Sequence, residues 1–416
     1  MARLVANTQT GSLTDHQRGT NDTFVGFTYL FGDAFALHDH SRGGNDTLAG
    51  ADYSPQNELF GDASLMDGNS RGGNDTLTGG AYSNSNTLYG DAAYMTANAR
   101  GGDDTLIGGQ YANVNTLVGD AAQMFGHAVG GNDTLIAAGA HFNQLFGDAS
   151  LFMGDDSRGG NDTLTGADGA NNGLFGDADF LQGNARGGND TLIGGAGGSN
   201  ALYGDGSLSG NARGGDDRLI AGVGATNTLY GDGESISDNA IGGNDTLIGA
   251  AGPTTFNSLF GDADFMFGNA RGGNDTLIAG DGARINYMFG DAFEMDGNAH
   301  GGNDRLISGT GTDYMWGDAE YINGVPASPT APTGNVVTGA DTFVFAPNNG
   351  NDLIFDFRQS DGDKIDVSAY GFHGLSQMMI TEFNGDTRIA FDANDSVTLV
   401  GFTNPQALRP SDFVFA

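Results

Sequence analysis

One unit is written eleven times along this chain. An element of the form Gly-Gly-Asn-Asp places its aspartate at Asp22, Asp46, Asp75, Asp104, Asp133, Asp162, Asp190, Asp217, Asp245, Asp275 and Asp304. A second element, Leu-Phe/Tyr-Gly-Asp, places its aspartate at Asp33, Asp62, Asp91, Asp120, Asp148, Asp177, Asp205, Asp232, Asp262, Asp291 and Asp318, so that the unit is close to 29 residues. A repeat of that length restricts the fold to architectures in which each unit buries its apolar face against its neighbours. The two gaps within a unit behave differently. From Gly-Asp to the next Asn-Asp it is 12 to 14 residues, mostly 13, whereas from Asn-Asp to Gly-Asp it runs from 11 to 17. The first arm is geometrically fixed, and the second tolerates insertion as a surface loop does.

Between the glycines lie short stretches such as "DTLIG" and "NTLYG", with β-branched and aromatic residues bounded by turn formers. These read as short strands, and no helical periodicity competes with them. Stacking the units aligns Leu48, Leu77, Leu106, Leu135, Leu164 and Leu192 in one apolar column and Leu59, Leu88, Leu117, Leu145, Leu174 and Leu202 in another. A looser third column holds Met66, Met95, Met124, Leu181, Met266 and Met295. The expected fold is therefore all-β: a right-handed parallel β-solenoid or β-roll of about eleven coils, two- or three-sided, over residues 18–323. At about 4.8 Å per coil such a stack is on the order of 50 Å long. Residues 1–17 are expected to form an N-terminal cap or arm, 324–335 ("GVPASPTAPTGN") a Pro-rich linker, and 336–416 a small C-terminal β-roll-like domain.

Charge now constrains chemistry. The chain has 52 acidic against 16 basic residues, a formal net charge of -36, so cations rather than nucleic acid or anionic membrane are its expected partners. With no cysteine it has neither disulfides nor thiolate metal ligands. In-register coils would bring the carboxylates of one column within about 4.8 Å, where each adjacent pair repels by roughly 3 kcal/mol at an effective dielectric of ~20. Over eleven coils the sum rivals the stability of an ordinary domain. A hard divalent cation held by carboxylates and turn carbonyls neutralises it most economically, and calcium has the matching ligand preference.

The "GGNDTL" element resembles the calcium-binding nonapeptide repeats of the RTX (repeats-in-toxin) family, whose pattern is Gly-Gly-x-Gly-x-Asp-x-apolar-x. In "SRGGNDTL", Gly44, Asp46 and Leu48 fall on the second half of that pattern. The first two glycines are not reproduced: Arg18, Arg42, Arg71, Arg100, Arg158, Arg186, Arg213 and Arg271, eight of the fifteen arginines, stand at the second of them. The resemblance implies a β-roll with calcium in its turns at the Asn-Asp aspartates. The Gly-Asp aspartates are second candidates, and turn-capping or pairing with a stacked arginine ladder is the alternative for both columns. The segment "GADTFVFAPNNGNDLIFDFRQSDGDKIDVSAYGF", with the closing "LRPSDFVFA", is similar to the C-terminal module of serralysin-type proteases and other RTX proteins. That similarity implies export by the type I secretion machinery through an uncleaved C-terminal signal, and it places Asp341 and Asp352 near calcium sites.

An enzyme is not expected. "GNSRG" around Ser70 fits a nucleophile elbow by pattern, but other copies mostly carry alanine there, and no His-Glu-x-x-His occurs. Three further ladders are legible. Phe31, Phe60, Tyr89, Phe146, Phe175, Tyr203, Tyr230, Phe260, Phe289 and Trp316 precede the Gly-Asp pair and form either an exposed docking strip or a core. Asn57, Asn86, Asn115, Asn143, Asn200, Asn227, Asn257 and Asn286 predict an amide ladder, and Thr47, Thr76, Thr105 and their equivalents a hydroxyl ladder. The sequence thus predicts an extracellular, calcium-loaded solenoid with a structural or adhesive role at a bacterial surface or matrix. It is expected to self-associate, with surface polysaccharide as a partner and no membrane insertion. A carbohydrate- or ice-binding module and a polysaccharide epimerase or lyase are the alternatives.

Overall fold

Each coil lays down three strands, joined by corners that glycine makes possible. In the computed structural model, which describes residues 11–331 and 333–416, one coil runs through Thr105–Ile107, Val114–Val118 and Ala121–Met124. Each strand pairs in parallel with its copy in the next coil: Leu106 with Leu135, Asn115 with Asn143, Met124 with Met153. The result is an all-β parallel solenoid of about ten turns of roughly 29 residues, and it is three-sided. Among the described residues the only helical turns are four short 3-10 segments, so no helix is long and apolar enough to cross a membrane. Residues 1–10 of the expected N-terminal cap, and Pro332 of the Pro-rich stretch, lie outside the described residues.

The chain divides into two compact units, 1–217 and 218–416, a division that falls inside the repeat array. In the first unit, Leu106, Leu117, Ala121 and Met124 are fully buried, as are their copies in the neighbouring coils. Strand alternation places these inward columns on three sheets, so each coil fills the space between them with one apolar layer. Corners are bonded coil to coil as well: the Gly72 N–H donates to Arg100 O (2.8 Å) and the Asp62 N–H to Asp91 O (3.1 Å). Only glycine fits so close an approach. A Cβ on Gly102 would lie 1.3 Å from Gly73 O.

In the second unit the same coil recurs as Thr246–Ile248, Phe256–Phe260 and Ala263–Met266. Two of its sheets run on past the Pro-rich stretch: Arg305–Ile307 pairs in parallel with Thr342–Val344, and Tyr314 and Met315 with Leu353 and Ile354. In the third sheet, Ala319–Ile322 turns back antiparallel onto Val325–Pro326. A meander, Met379–Phe383, Asp386–Ala390 and Ser396–Leu399, closes one sheet with antiparallel pairing, and the last strand, Phe413–Val414, pairs in parallel with Lys364–Asp366 in another.

The aromatic column resolves toward burial. Phe60, Phe146, Phe260, Phe289 and Trp316 are buried, Phe31, Tyr89, Phe175, Tyr203 and Tyr230 are half-buried, and successive rings stack 4.5 to 4.8 Å apart, as in Phe146–Phe175–Tyr203 and Phe260–Phe289–Trp316. These side chains point away from the coil interior and bury one another, so they form no exposed strip. An exposed aromatic stack lies elsewhere, Tyr53–Tyr82–Tyr111, at the tips of the variable arm (ring centroids 5.1 and 5.0 Å apart).

Candidate functional site

Both aspartate columns turn inward at the same corner. The Gly-Asp carboxylates cap the fixed arm: Asp62 accepts from the Gly73 N–H (2.9 Å), Asp120 from Gly131 (3.1 Å) and Asp148 from Gly160 (2.9 Å). Asp33, Asp91, Asp177 and Asp205 make the equivalent bond to Gly44, Gly102, Gly188 and Gly215. The capped glycine lies two residues before the next Asn-Asp aspartate, which explains why that arm keeps its length. In the second unit Asp232, Asp262, Asp291 and Asp318 cap Gly243, Gly273, Gly302 and Gly339 in the same way.

The Asn-Asp carboxylates form a second file. Oδ1 of Asp75 accepts from the Asp46 N–H, and the bond repeats from Asp75 to Asp104, Asp104 to Asp133, Asp133 to Asp162, Asp162 to Asp190 and Asp190 to Asp217, each at 2.6 Å. In the second unit it runs from Asp245 to Asp275 and Asp275 to Asp304 (2.7 Å each) and on to Asp341 (2.8 Å). Asp22, half-buried, starts the file by donating its N–H to Asp46.

In most of these carboxyls one oxygen is thereby satisfied and the other is left over. Oδ2 of Asp46, Asp75, Asp104, Asp133, Asp162 and Asp190, and of Asp304 and Asp341, is buried with no hydrogen-bond partner. A Cβ on Gly61 would sit 2.0 Å from Asp75 Oδ2 and 1.7 Å from Gly90 O, so the unpartnered oxygen and a main-chain carbonyl converge on a cradle that only a missing side chain leaves open. The Gly-Asp carboxyls also crowd one another: a Cβ on Gly72 would sit 1.7 Å from Asp91 Oδ1 and 2.8 Å from Asp62 Oδ2, and one on Gly101 1.6 Å from Asp120 Oδ1 and 2.5 Å from Asp91 Oδ2. Carboxylates packed this closely away from water are eased by a shared proton or a bridging cation.

Electrostatics follow from that packing. Burial, reinforced by neighbouring aspartates, raises the carboxyl pKa of Asp62, Asp104, Asp120, Asp133, Asp148, Asp162, Asp190, Asp262, Asp304, Asp318 and Asp341 well above the ordinary value. Burial pushes Asp46 up to about 7 and Asp75 up to about 9. The arginine counter-charge that the sequence allowed does not form. Arg42, Arg71, Arg100 and Arg158 face solvent, and among the described residues the ion pairs are His38–Asp67, His127–Asp156, Arg305–Asp366 and Arg358–Asp361. The arginines lie on the strand-like segment before the two glycines, whose alternation sends them outward while the aspartates turn in.

Two residues that the spacing does not flag extend the files. Asp356 accepts from the Gly317 and Asp318 N–H groups (2.8 and 3.1 Å), and Asp363 from those of Asp341 (3.1 Å) and Arg358 (2.6 Å). Asp352, grouped with the calcium candidates by the similarity of the C-terminal segment to RTX modules, lies elsewhere: at the foot of the asparagine ladder, accepting from the Asp313 N–H and the Ser308 hydroxyl (3.0 Å each) and from Asn349. Ser70 is fully buried in a column shared with Ala99, Ala128 and Ala185. Among the described residues no three His, Asp or Glu side chains converge as a metal cluster; the oxygen set at each step is carboxylate plus glycine carbonyl.

Fold and site together define a class: a parallel β-solenoid with an acidic seam buried along one corner of its coils. No protein-family model matches the chain, and no curated protein is significantly similar to it.

Proposed function

We propose that this chain is a calcium-dependent structural or adhesive solenoid that works outside the cell. The observation that carries the reading is the unpartnered, buried Oδ2 repeated from coil to coil beside a glycine carbonyl. Leaving a buried acceptor unsatisfied costs about 1–3 kcal/mol, more when it is charged, and a device repeated this often has a ligand. All-oxygen donors of mixed carboxylate and carbonyl type suit calcium. The Asn-Asp file, with the Gly-Asp file beside it, would hold the ions, and each ion would supply the positive charge that the seam lacks. The cell interior keeps calcium scarce, so the seam stays repulsive there and closes outside, where binding to the folded state adds its free energy to stability. Export by type I secretion rests on the similarity of residues 336–416 to RTX C-terminal modules, and a non-enzymatic role rests on a site whose carboxylates, Asp22 apart, are buried.

Calcium titration of chelated protein at pH 8, followed by circular dichroism, calorimetry and light scattering, tests this. The expected result is β-structure gained in step with calcium bound, with rising scatter if the folded chains associate. Full β signal in excess chelator together with no calorimetric calcium uptake would overturn it.

A further inference from the structure

Among the described residues, the arginine ladder of the first unit has no side-chain partner. Arg18, Arg42, Arg71 and Arg100 pair backbone to backbone in succession, Val129 interrupts, and Arg158, Arg186 and Arg213 continue the column. All seven side chains are exposed, and none makes a hydrogen bond or ion pair with the described residues. Adjacent guanidinium groups rooted about 4.8 Å apart repel one another by roughly 1 kcal/mol per pair even in water. On a chain of net charge -36, seven of fifteen arginines have been concentrated where nothing internal uses them.

The surface over them is concave. A recess of about 480 Å³ is lined by Arg18, Arg42, Arg71 and Arg100 with Asn45 and Asn74. A second, of about 450 Å³, shares Arg100 and Val129 with it, and a third, of about 290 Å³, shares Arg158 and Asp156 with the second and ends at Arg186 and Arg213. The three form one groove along the column. Two carboxylates, Asp103 and Asp156, also line it.

We infer that this groove binds a linear carboxylate-bearing polysaccharide, laid along the coil-stacking direction with its carboxylates on successive arginines. The guanidinium fork matches a carboxylate in planar, bidentate fashion. The asparagines alongside offer amide donors and acceptors to sugar hydroxyls. A nucleic acid fits less well. Phe, Tyr and Trp, the residues on which single strands stack, are missing from the lining. The inference uses only exposed side chains and does not rest on bound calcium.

The test is binding of short oligogalacturonates to the whole protein at one fixed, buffered free-calcium concentration, with circular dichroism confirming equal folding of every variant. Carboxyl-reduced oligosaccharide, polyphosphate and single-stranded DNA are the competitors. Arg71→Gln/Arg100→Gln is expected to weaken oligogalacturonate binding about tenfold or more and to flatten its salt dependence, since fewer counter-ions are released. Arg218→Gln/Arg284→Gln, which removes the same charge outside the groove, is expected to leave binding within twofold. Equal losses in the two double variants, undiminished binding of the carboxyl-reduced sugar, or tighter binding of polyphosphate or DNA would each overturn the inference.

Discussion

At the scale of single residues, the glycines of the seam differ in kind from those of the loop tips. Gly61 leaves room for the convergence of Gly90 O and Asp75 Oδ2, neither of which can retreat without breaking the coil contact. Gly139, by contrast, has φ +53° and open space around the place a Cβ would occupy. Gly61→Ala is therefore expected to cost about 3 kcal/mol by overpacking, and Gly139→Ala about 1 kcal/mol through left-handed strain alone. Urea denaturation of the two variants checks the order, and equal losses would contradict the cradle. The same left-handed turn position carries tyrosine in three coils, Tyr53, Tyr82 and Tyr111, with φ of 55 to 57°. Their mutual stacking, worth about 0.5–1.5 kcal/mol per pair, offsets strain that other coils avoid by using glycine. Sequence reading located the seam aspartates because a strict period converts directly into contact between copies. It did not reveal which carboxyl oxygen would be left over, since that depends on the corner's backbone path, and a turn lacks the two-residue alternation that makes strand side chains predictable.

Among the elements, the asparagine ladder shows how a polar residue can hold a sheet together from inside. Asn115 accepts from the Gly109 N–H (3.0 Å) and from Asn86 Nδ2 (2.9 Å), and it donates to Gly109 O and Asn143 Oδ1 (3.2 Å each). Its amide spends its whole hydrogen-bonding capacity in a site with no solvent exposure. Asn115→Leu adds apolar surface yet strands four buried partners, so a loss of about 3–5 kcal/mol is expected at roughly 1 kcal/mol per orphaned group. Denaturant midpoints measure it, and a neutral or stabilising outcome would show that the ladder is dispensable. The ladder was legible because its period and its strand setting agree. Asp313 and Asp352 were not legible as its continuation. Asn286 Nδ2 donates to Asp313 (2.7 Å) and the Asp313 N–H to Asp352 (3.0 Å), across spacings of 27 and 39 residues. Once the spacing leaves 29, a local Asn-Asp motif no longer says which column it occupies. The number of sides was hidden for a related reason: the third sheet's strands are short, several of two residues, and some of its pairings bulge.

For the whole molecule, the buried seam makes stability a contest between protons and cations. Ordinary aspartates have a pKa of 3.8, but burial pushes Asp46 and Asp291 to about 7, Asp363 to about 8 and Asp75 to about 9. A folded-state pKa raised above the unfolded value gives stability that is fully present below about pH 4 and is lost as pH rises through the folded values. Between pH 5 and 9 the chelated protein should therefore melt at its highest temperature at the acid end and progressively lower as pH rises, the reverse of ordinary acid denaturation. Net charge of -36 pushes the same way through self-repulsion, but it is screened by salt, whereas carboxyls in the dry corner are not. Adding 0.5 M sodium chloride should thus flatten only part of the slope. Calcium requires the ionised form and displaces the protons, so its stabilisation should be large at pH 8 and small at pH 5, and the melting curves with and without calcium should converge toward acid. Calorimetric scans across pH 5 to 9, with chelator and with millimolar calcium, decide it. A chelated chain that is most stable at alkaline pH would mean the seam carries no raised carboxyl groups, and equal calcium shifts at pH 5 and pH 8 would place the ion somewhere other than the two aspartate files.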